Sequence, residues 1–216
     1  KVEVYFDGTQ DTSATTAGVG DFGSKIPYSE DITRTYQGKN YIFDYTEGAG
    51  KKISANVNDN VVKLHYTIDE VGTDPEDPEK PDNVPDKYQK KVTYAAVNGT
   101  VDITLAYITL FDSSQDYSQT GTGKLAEGQV ATPQPTTGYT ENPSGLWSPT
   151  TPLVGMSIAY NEASDFVATY VKGDHQYTIE YYFDGIIYSS RTVSALGELD
   201  EPINYSAQTA LAFDGN

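Results

Sequence analysis

Alternation of apolar and polar positions organises this chain. In residues 61–68 (Val-Val-Lys-Leu-His-Tyr-Thr-Ile), Val62, Leu64, Tyr66 and Ile68 fall on one side of a period-two pattern. Val61, Lys63, His65 and Thr67 fall on the other, which predicts a half-buried strand. Val2, Val4 and Phe6 form a similar face at the start, followed by Asp7-Gly8, a pair suited to a tight hairpin turn. These opening residues read as a strand already, as expected of a chain that begins inside a longer protein. Between the two strands lies Tyr28-Ser-Glu-Asp-Ile-Thr-Arg-Thr-Tyr-Gln-Gly38. Ser29 can serve as an N-cap, Glu30 and Asp31 suit a first turn and Gly38 a stop, so one short helix is expected there.

Farther along, Lys90–Val97, the Asn98-Gly99 pair and Thr100–Phe111 read as a hairpin, with Val101, Ile103, Leu105 and Tyr107 sharing a face. A Gly/Thr/Pro-rich stretch, 118–152, follows, and Phe166–Val171 reads as a closing strand. Then the opening returns. Val2-Glu-Val-Tyr-Phe-Asp-Gly8 is echoed by Ile179-Glu-Tyr-Tyr-Phe-Asp-Gly185, and Gly23-Ser-Lys-Ile-Pro-Tyr28 more loosely by residues 197–205. An internal repeat points to modules strung in arrays.

Composition narrows the function classes. The 216 residues carry 31 acidic and 14 basic side chains, a net charge of -17, so clustered cationic contacts to nucleic acid are not expected. No apolar run approaches the ~20 residues that span a bilayer. The absence of Cys removes disulfides, thiolate metal sites and Cys nucleophiles. Twelve of the seventeen net charges sit in two stretches, 70–86 and 173–216, each with seven acids and one base. The first also carries Pro75, Pro78, Pro81 and Pro85, which predicts an extended acidic linker of roughly 50 Å at ~3.1 Å per residue. Asp74, Glu76, Asp77 and Glu79 lack the spacing of a calcium loop.

At this point the chain resembles Gram-positive surface proteins built from mucin-binding-protein (MucBP) type repeats. The likeness rests on V-x-V-Y-F-D-G, G-x-x-I-P-Y, V-V-K-L-H-Y and Y-T-I-E-Y-Y-F-D-G. The middle of the chain, with G-Y-T-E-N-P-S-G-L-W-S-P-T-T-P and F-V-A-T-Y-V, is similar to internalin-type B repeats. The resemblance implies a mainly β, α+β fold class: tandem β-grasp-like (ubiquitin-like) modules, a sheet packed on one helix, in an elongated array. The expected domains are a module at 1–69, the linker at 70–86, a β-rich repeat at 87–172 and a partial second MucBP-like module at 173–216. It further implies an exported protein anchored to the cell wall through parts not included here, monomeric, adhering to host mucin glycans or extracellular protein. The alternative is a stalk that presents a distal adhesive domain.

No catalytic motif accompanies the likeness. His65 and His175 lack companions for a metal or a triad, and no G-x-S-x-G is present. Gly121-Thr-Gly-Lys124 is read as a turn: Ser118 stands where a phosphate loop needs its first glycine, and Leu125 where it needs Ser or Thr. No catalytic residues, metal or cofactor are therefore expected. The ligand-binding candidates are Trp147, the single Trp, and Tyr139, an aromatic pair able to stack on sugar rings. The competing reading, which the Gly-Tyr…Trp pattern favours, has Trp147 plugging a small core. Lys63 and Lys91, both on strands, are candidates for an intramolecular Lys–Asn isopeptide bond.

Overall fold

The computed structural model describes residues 1–203, 205 and 206; the end of the expected 173–216 module lies outside them. β1 (Val2–Phe6) and β2 (Thr9–Thr16) are joined by Asp7 and Gly8, at φ 45° and 80°. Two left-handed residues in succession make the mirror-image turn that matches strand twist. β3 (Thr33–Tyr36), β4 (Lys39–Glu47) and β5 (Val62–Ile68) complete a sheet of order β2-β1-β5-β4-β3. Its one parallel pair is β1 with β5, Val2 opposite Val62 through Phe6 opposite Tyr66. The period-two face read from the sequence is the core face. Val4, Phe6, Val62, Leu64 and Tyr66 are buried, with Val2 and Ile68 packed against them.

The helix expected after Tyr28 does not form. Residues 27–31 are irregular, and Thr33–Tyr36 alternates exposed and half-buried positions as a strand. Gly38 ends no helix: Gln37 (φ 51°) and Gly38 (φ 79°) form a second mirror-image turn, with Tyr36 paired to Lys39. Packing decides the outcome, since Tyr36 stacks on Phe6 at 4.4 Å and a helix would carry its ring away from that sheet. Two loop segments cover the core where a helix would lie. Ile26 is buried, and the Ile26 and Gly23 amides donate to the Lys51 and Ile53 carbonyls. The single helical turn in this region is Val57–Asp59, a 3-10 turn capped by the Asn56 side chain.

Residues 70–86 are not an extended spacer either. The Gly72 amide donates to the Pro78 carbonyl, and the carboxylates act as acceptors for the segment's own backbone. Asp69 accepts from the amides of Asp82 and Asn83, and Asp82 from those of Thr73 and Val84. Asp86 accepts from Glu70 and Val71. The prolines sit between these anchors, where no donor is needed.

The remaining strands are β6 (Gln89–Val97), β7 (Gly99–Val101), β8 (Leu105–Thr109), β9 (Thr122–Lys124), β10 (Pro133–Pro135), β11 (Tyr139–Glu141), β12 (Trp147–Ser148), β13 (Ser157–Ala159), β14 (Asp165–Lys172), β15 (Asp174–Ile179), β16 (Tyr182–Phe183), β17 (Ile186–Ile187) and β18 (Val193–Glu198). They are shared between two compact units. The first comprises residues 1–93, 103–131 and 152–165; the second comprises 94–102, 132–151 and 166 onward. These boundaries differ from those expected at 87 and 172, because the chain between them contributes to both units.

In the first unit, the start of β6 pairs with β8 (Gln89 opposite Thr109, Thr93 opposite Leu105) and β9 pairs with β13. Ala106 and Ile108 supply the buried face of β8, and Leu110 just after it is buried too; the Leu105/Tyr107 face is only half-buried. In Gly121-Thr-Gly-Lys124, residues Thr122–Lys124 form a strand rather than a turn. A side chain at Gly123 would meet Ile108 at 2.9 Å, so glycine is needed for close approach.

In the second unit, β11 and β12 both pair with β14, and β7 pairs with β10. Asn98-Gly99 makes no hairpin turn. Asn98 is left-handed (φ 58°) but Gly99 begins β7, lying so close to Tyr170 that a side chain would meet its ring at 2.7 Å. The Asn98 side-chain amide donates to the Tyr170 carbonyl. Tyr94, Phe166, Ala168 and Tyr170 are buried.

The sequence repeat is also a structural one. Asp184 and Gly185 repeat the turn of Asp7 and Gly8, at φ 47° and 82°, and Phe183 faces Ile186 as Phe6 faces Thr9. In β1–β2 the register slips between Val2 and Val4, so that Val2 faces Thr16. Ile179 facing Val193 is the same pairing in the copy.

Candidate functional site

Trp147 lies on β12 opposite Ala168, and Tyr139 on β11 opposite Lys172. Ala168 and Lys172 point to one side of β14, but they are four residues apart, about 13 Å at ~3.3 Å per residue. The two aromatics are therefore not joined in one platform. Trp147 is half-buried and meets Tyr94 edge-on at 6.2 Å, and Tyr94 in turn stacks on Phe166 at 5.6 Å. Burial pushes the Tyr94 hydroxyl up to about 12. Trp147 thus serves the interior of its unit. Tyr139 stays half-buried beside Gly138, whose carbonyl lies 3.1 Å from the His175 ring.

A second aromatic group, not singled out in the sequence, lies in the first unit. Tyr88 stacks on Tyr117 at 5.7 Å, and Tyr117 leans on Phe111 at 5.3 Å, both of the latter exposed. Phe111 borders a cleft of about 530 Å³ with Asp112, Gln115, Lys124 and Gln129 on its walls. The turn presenting Gln115 is built by Asp112, whose carboxylate accepts from the Ser114 and Asp116 amides. Asp-Ser-Ser before Gln-Asp-Tyr was the available sequence signal, an Asx turn between aromatics. Gln129 is buried, its side-chain amide donating to the Thr73 and Tyr107 carbonyls and its oxygen accepting from Ala126.

The face of the five-stranded sheet turned away from its core carries a cross-strand stack. His65 lies between Tyr45 at 4.3 Å and Tyr5 at 5.1 Å, nearly parallel to both. Rings stacked on each other present edges outward, so this ladder braces the sheet rather than offering a flat platform for a sugar. Glu47 bonds Lys63 at 3.0 Å, and the Tyr5 hydroxyl donates to Glu3. The hydrogen bond from Lys1 holds the Glu3 carboxyl below its usual range. The isopeptide candidates have other surroundings: Lys63 pairs with Glu47, and Lys91 is exposed.

Several of the acids at and after the end of β5 are structural acceptors: Asp69, Glu70, Asp82 and Asp86 each accept from a backbone amide. Asp69 is buried, and its burial raises its carboxyl above the usual value. Among the described residues no cluster of three or more His, Asp and Glu side chains is arranged to hold a metal ion, and no helix is long and apolar enough to cross a membrane. Comparison with protein-family models, curated proteins and solved structures finds no match for this chain.

Proposed function

We propose that the chain is a non-catalytic repeat segment of an exported, wall-anchored bacterial surface protein, and that its modules act as spacers carrying a distal adhesive part. The observation that carries this reading is the repeated hairpin. The same Tyr-Phe-Asp-Gly turn and the same register slip occur at β1–β2 and at β16–β17 with their flanking strands. Serial reuse of one supersecondary unit is the mark of arrays, in which each module contributes length and stability and none needs a reaction centre. Two further observations support it. The carboxylates of Asp69, Asp82 and Asp86 are spent on backbone amides, and Trp147 is spent on packing against Tyr94. A β-grasp-like ancestry of the first module fits its central parallel β1–β5 pair, with loops in place of the helix.

Adhesion to mucin glycans or to an extracellular protein is the second reading, and the cleft beside Phe111 favours it, since an exposed ring flanked by Gln115, Asp112 and Lys124 is a mixed apolar and polar surface. A mucin pull-down and a glycan array separate the two. The spacer reading expects no retention at high protein concentration. Binding that disappears in Phe111→Ala would overturn it in favour of adhesion.

A further inference from the structure

The cleft beside Phe111 holds more chemistry than an exposed ring. Phe111 pairs antiparallel with Thr122, and β9 alternates exposed Thr122, buried Gly123 and exposed Lys124. Thr122 and Lys124 therefore share one side of the strand, and Lys124 is the diagonal neighbour of Phe111. Such neighbours lie ~7–8 Å apart, within reach of a long side chain. Ring and ammonium border the same cleft of about 530 Å³, a size within the ~300–1,000 Å³ of small-molecule pockets.

The polar groups on its walls are uncommitted. Among the described residues the Lys124 ammonium has no carboxylate partner, unlike those of Lys63, Lys87 and Lys172. The Asp112 carboxylate uses Oδ1 for the Ser114 and Asp116 amides, which leaves Oδ2 to accept from a ligand hydroxyl. Gln115 sits at φ 67°, a left-handed conformation that glycine takes without steric strain. Its side chain lines the cleft and, among the described residues, makes no hydrogen bond. Strain held for a side chain that binds nothing within the chain points outward, to a ligand.

Each group selects a different part of that ligand. The Phe111 ring covers an apolar C–H face, Asp112 and the Gln115 amide take hydroxyls, and Lys124 takes an anion. A neutral sugar would leave the ammonium unpaired, and a bare carboxylate would leave the ring uncovered. We infer that this cleft is a subsite for a sugar ring bearing a carboxylate, the ring on Phe111 and the carboxylate at Lys124. One subsite binds a small acid at about millimolar, too weakly to retain mucin, so it stands apart from the choice between spacer and adhesin.

The test titrates glucuronic acid, glucose and acetate into the full chain and follows the backbone amide signals of Gln115, Thr122 and Lys124 by NMR. Glucose has the ring without the carboxylate, and acetate the carboxylate without the ring. N-acetylneuraminic acid, run beside them, separates a sialic acid from a hexuronic one. The subsite predicts saturable shifts at these amides with at least one sugar acid, about tenfold tighter than with glucose or acetate. Lys124→Gln should bring that acid to the level of glucose and Lys124→Arg should keep it. Both should unfold at the unsubstituted temperature, because Lys124 is exposed and unpaired. Sugar acids that bind no better than glucose or acetate, or binding unchanged in Lys124→Gln, overturn the pairing of ring and carboxylate. No shift with any probe overturns the subsite itself.

Discussion

Asp82 offers a direct measure of how the acidic segment 70–86 is held. Its carboxylate accepts from the Thr73 amide at 3.1 Å, the Thr73 hydroxyl at 3.3 Å, the Val84 amide at 3.0 Å and the Gln89 side-chain amide at 2.9 Å. Asp82→Ala removes every one of these acceptors and leaves the donors half-buried. A hydrogen bond to a charged group contributes about 1.5–3 kcal/mol, while water reaching the half-buried donors recovers part of that. Counting the two shortest contacts in full and the others as weak, the loss is about 3 kcal/mol. Relief of repulsion from the neighbouring acids offsets a few tenths. Urea unfolding should show the midpoint moving down at an unchanged slope. Hydrogen exchange should show the Thr73 and Val84 amides opening first. Asp82→Asn, which keeps one acceptor oxygen, should lose about half as much. A loss below about 0.5 kcal/mol with both amides still protected would refute the claim that the carboxylate organises this segment.

Further outcomes follow from other sites. Gly8→Ala and Gly185→Ala each place a side chain at φ near 80°, and each should cost about 1–2 kcal/mol in its own unit by denaturant titration. Trp147→Ala should cost about 2 kcal/mol through lost packing on Tyr94, since the ring is half-buried, with no change in any mucin retention. Acid titration should separate two carboxylates of opposite sign. Glu3 lies below its ordinary 4.5, so the stability it lends is present above that value and lost as pH falls through the folded one; Glu3→Gln should flatten the acid limb. Asp69 lies above its ordinary 3.8, so its contribution is present below that value and fades as pH rises through the folded one. Asp69→Asn should remove that fading, read as a smaller stability difference between pH 3.8 and pH 7.

Local chemistry was legible where one neighbour settles the conformation. Asp7-Gly8 and the faces of β1 and β5 follow from pair preference and period two, and the repeat Tyr-Phe-Asp-Gly announced a second copy of the same turn. The misreadings share a different cause. Ser29 to Gly38 satisfies every local helix rule, yet Tyr36 is worth more stacked on Phe6. The pair Asn98-Gly99 satisfies the hairpin rule, yet Gly99 is needed for contact with Tyr170, seventy-one residues later. Residues 70–86 have the composition of a linker, and no composition reveals that Glu70, Asp74, Asp82 and Asp86 are aimed at amides. Trp147 could be weighed from the sequence as a plug or as a sugar platform, and nothing in Gly-Leu-Trp-Ser says that its neighbour is Tyr94. Phe111 and Tyr117 stay exposed, and nothing in their residue types separates them from the aromatics that are buried.

The pairing of β1 with β5 has a mechanical consequence. Tension applied at Lys1 and at Ile68 would draw these two neighbouring parallel strands in opposite directions along their own axes. The pairs from Val2–Val62 to Phe6–Tyr66 would then share the load in shear and yield together, instead of peeling apart one at a time. Under a pull at those two points, the lifetime is set by the barrier to rupture rather than by equilibrium stability.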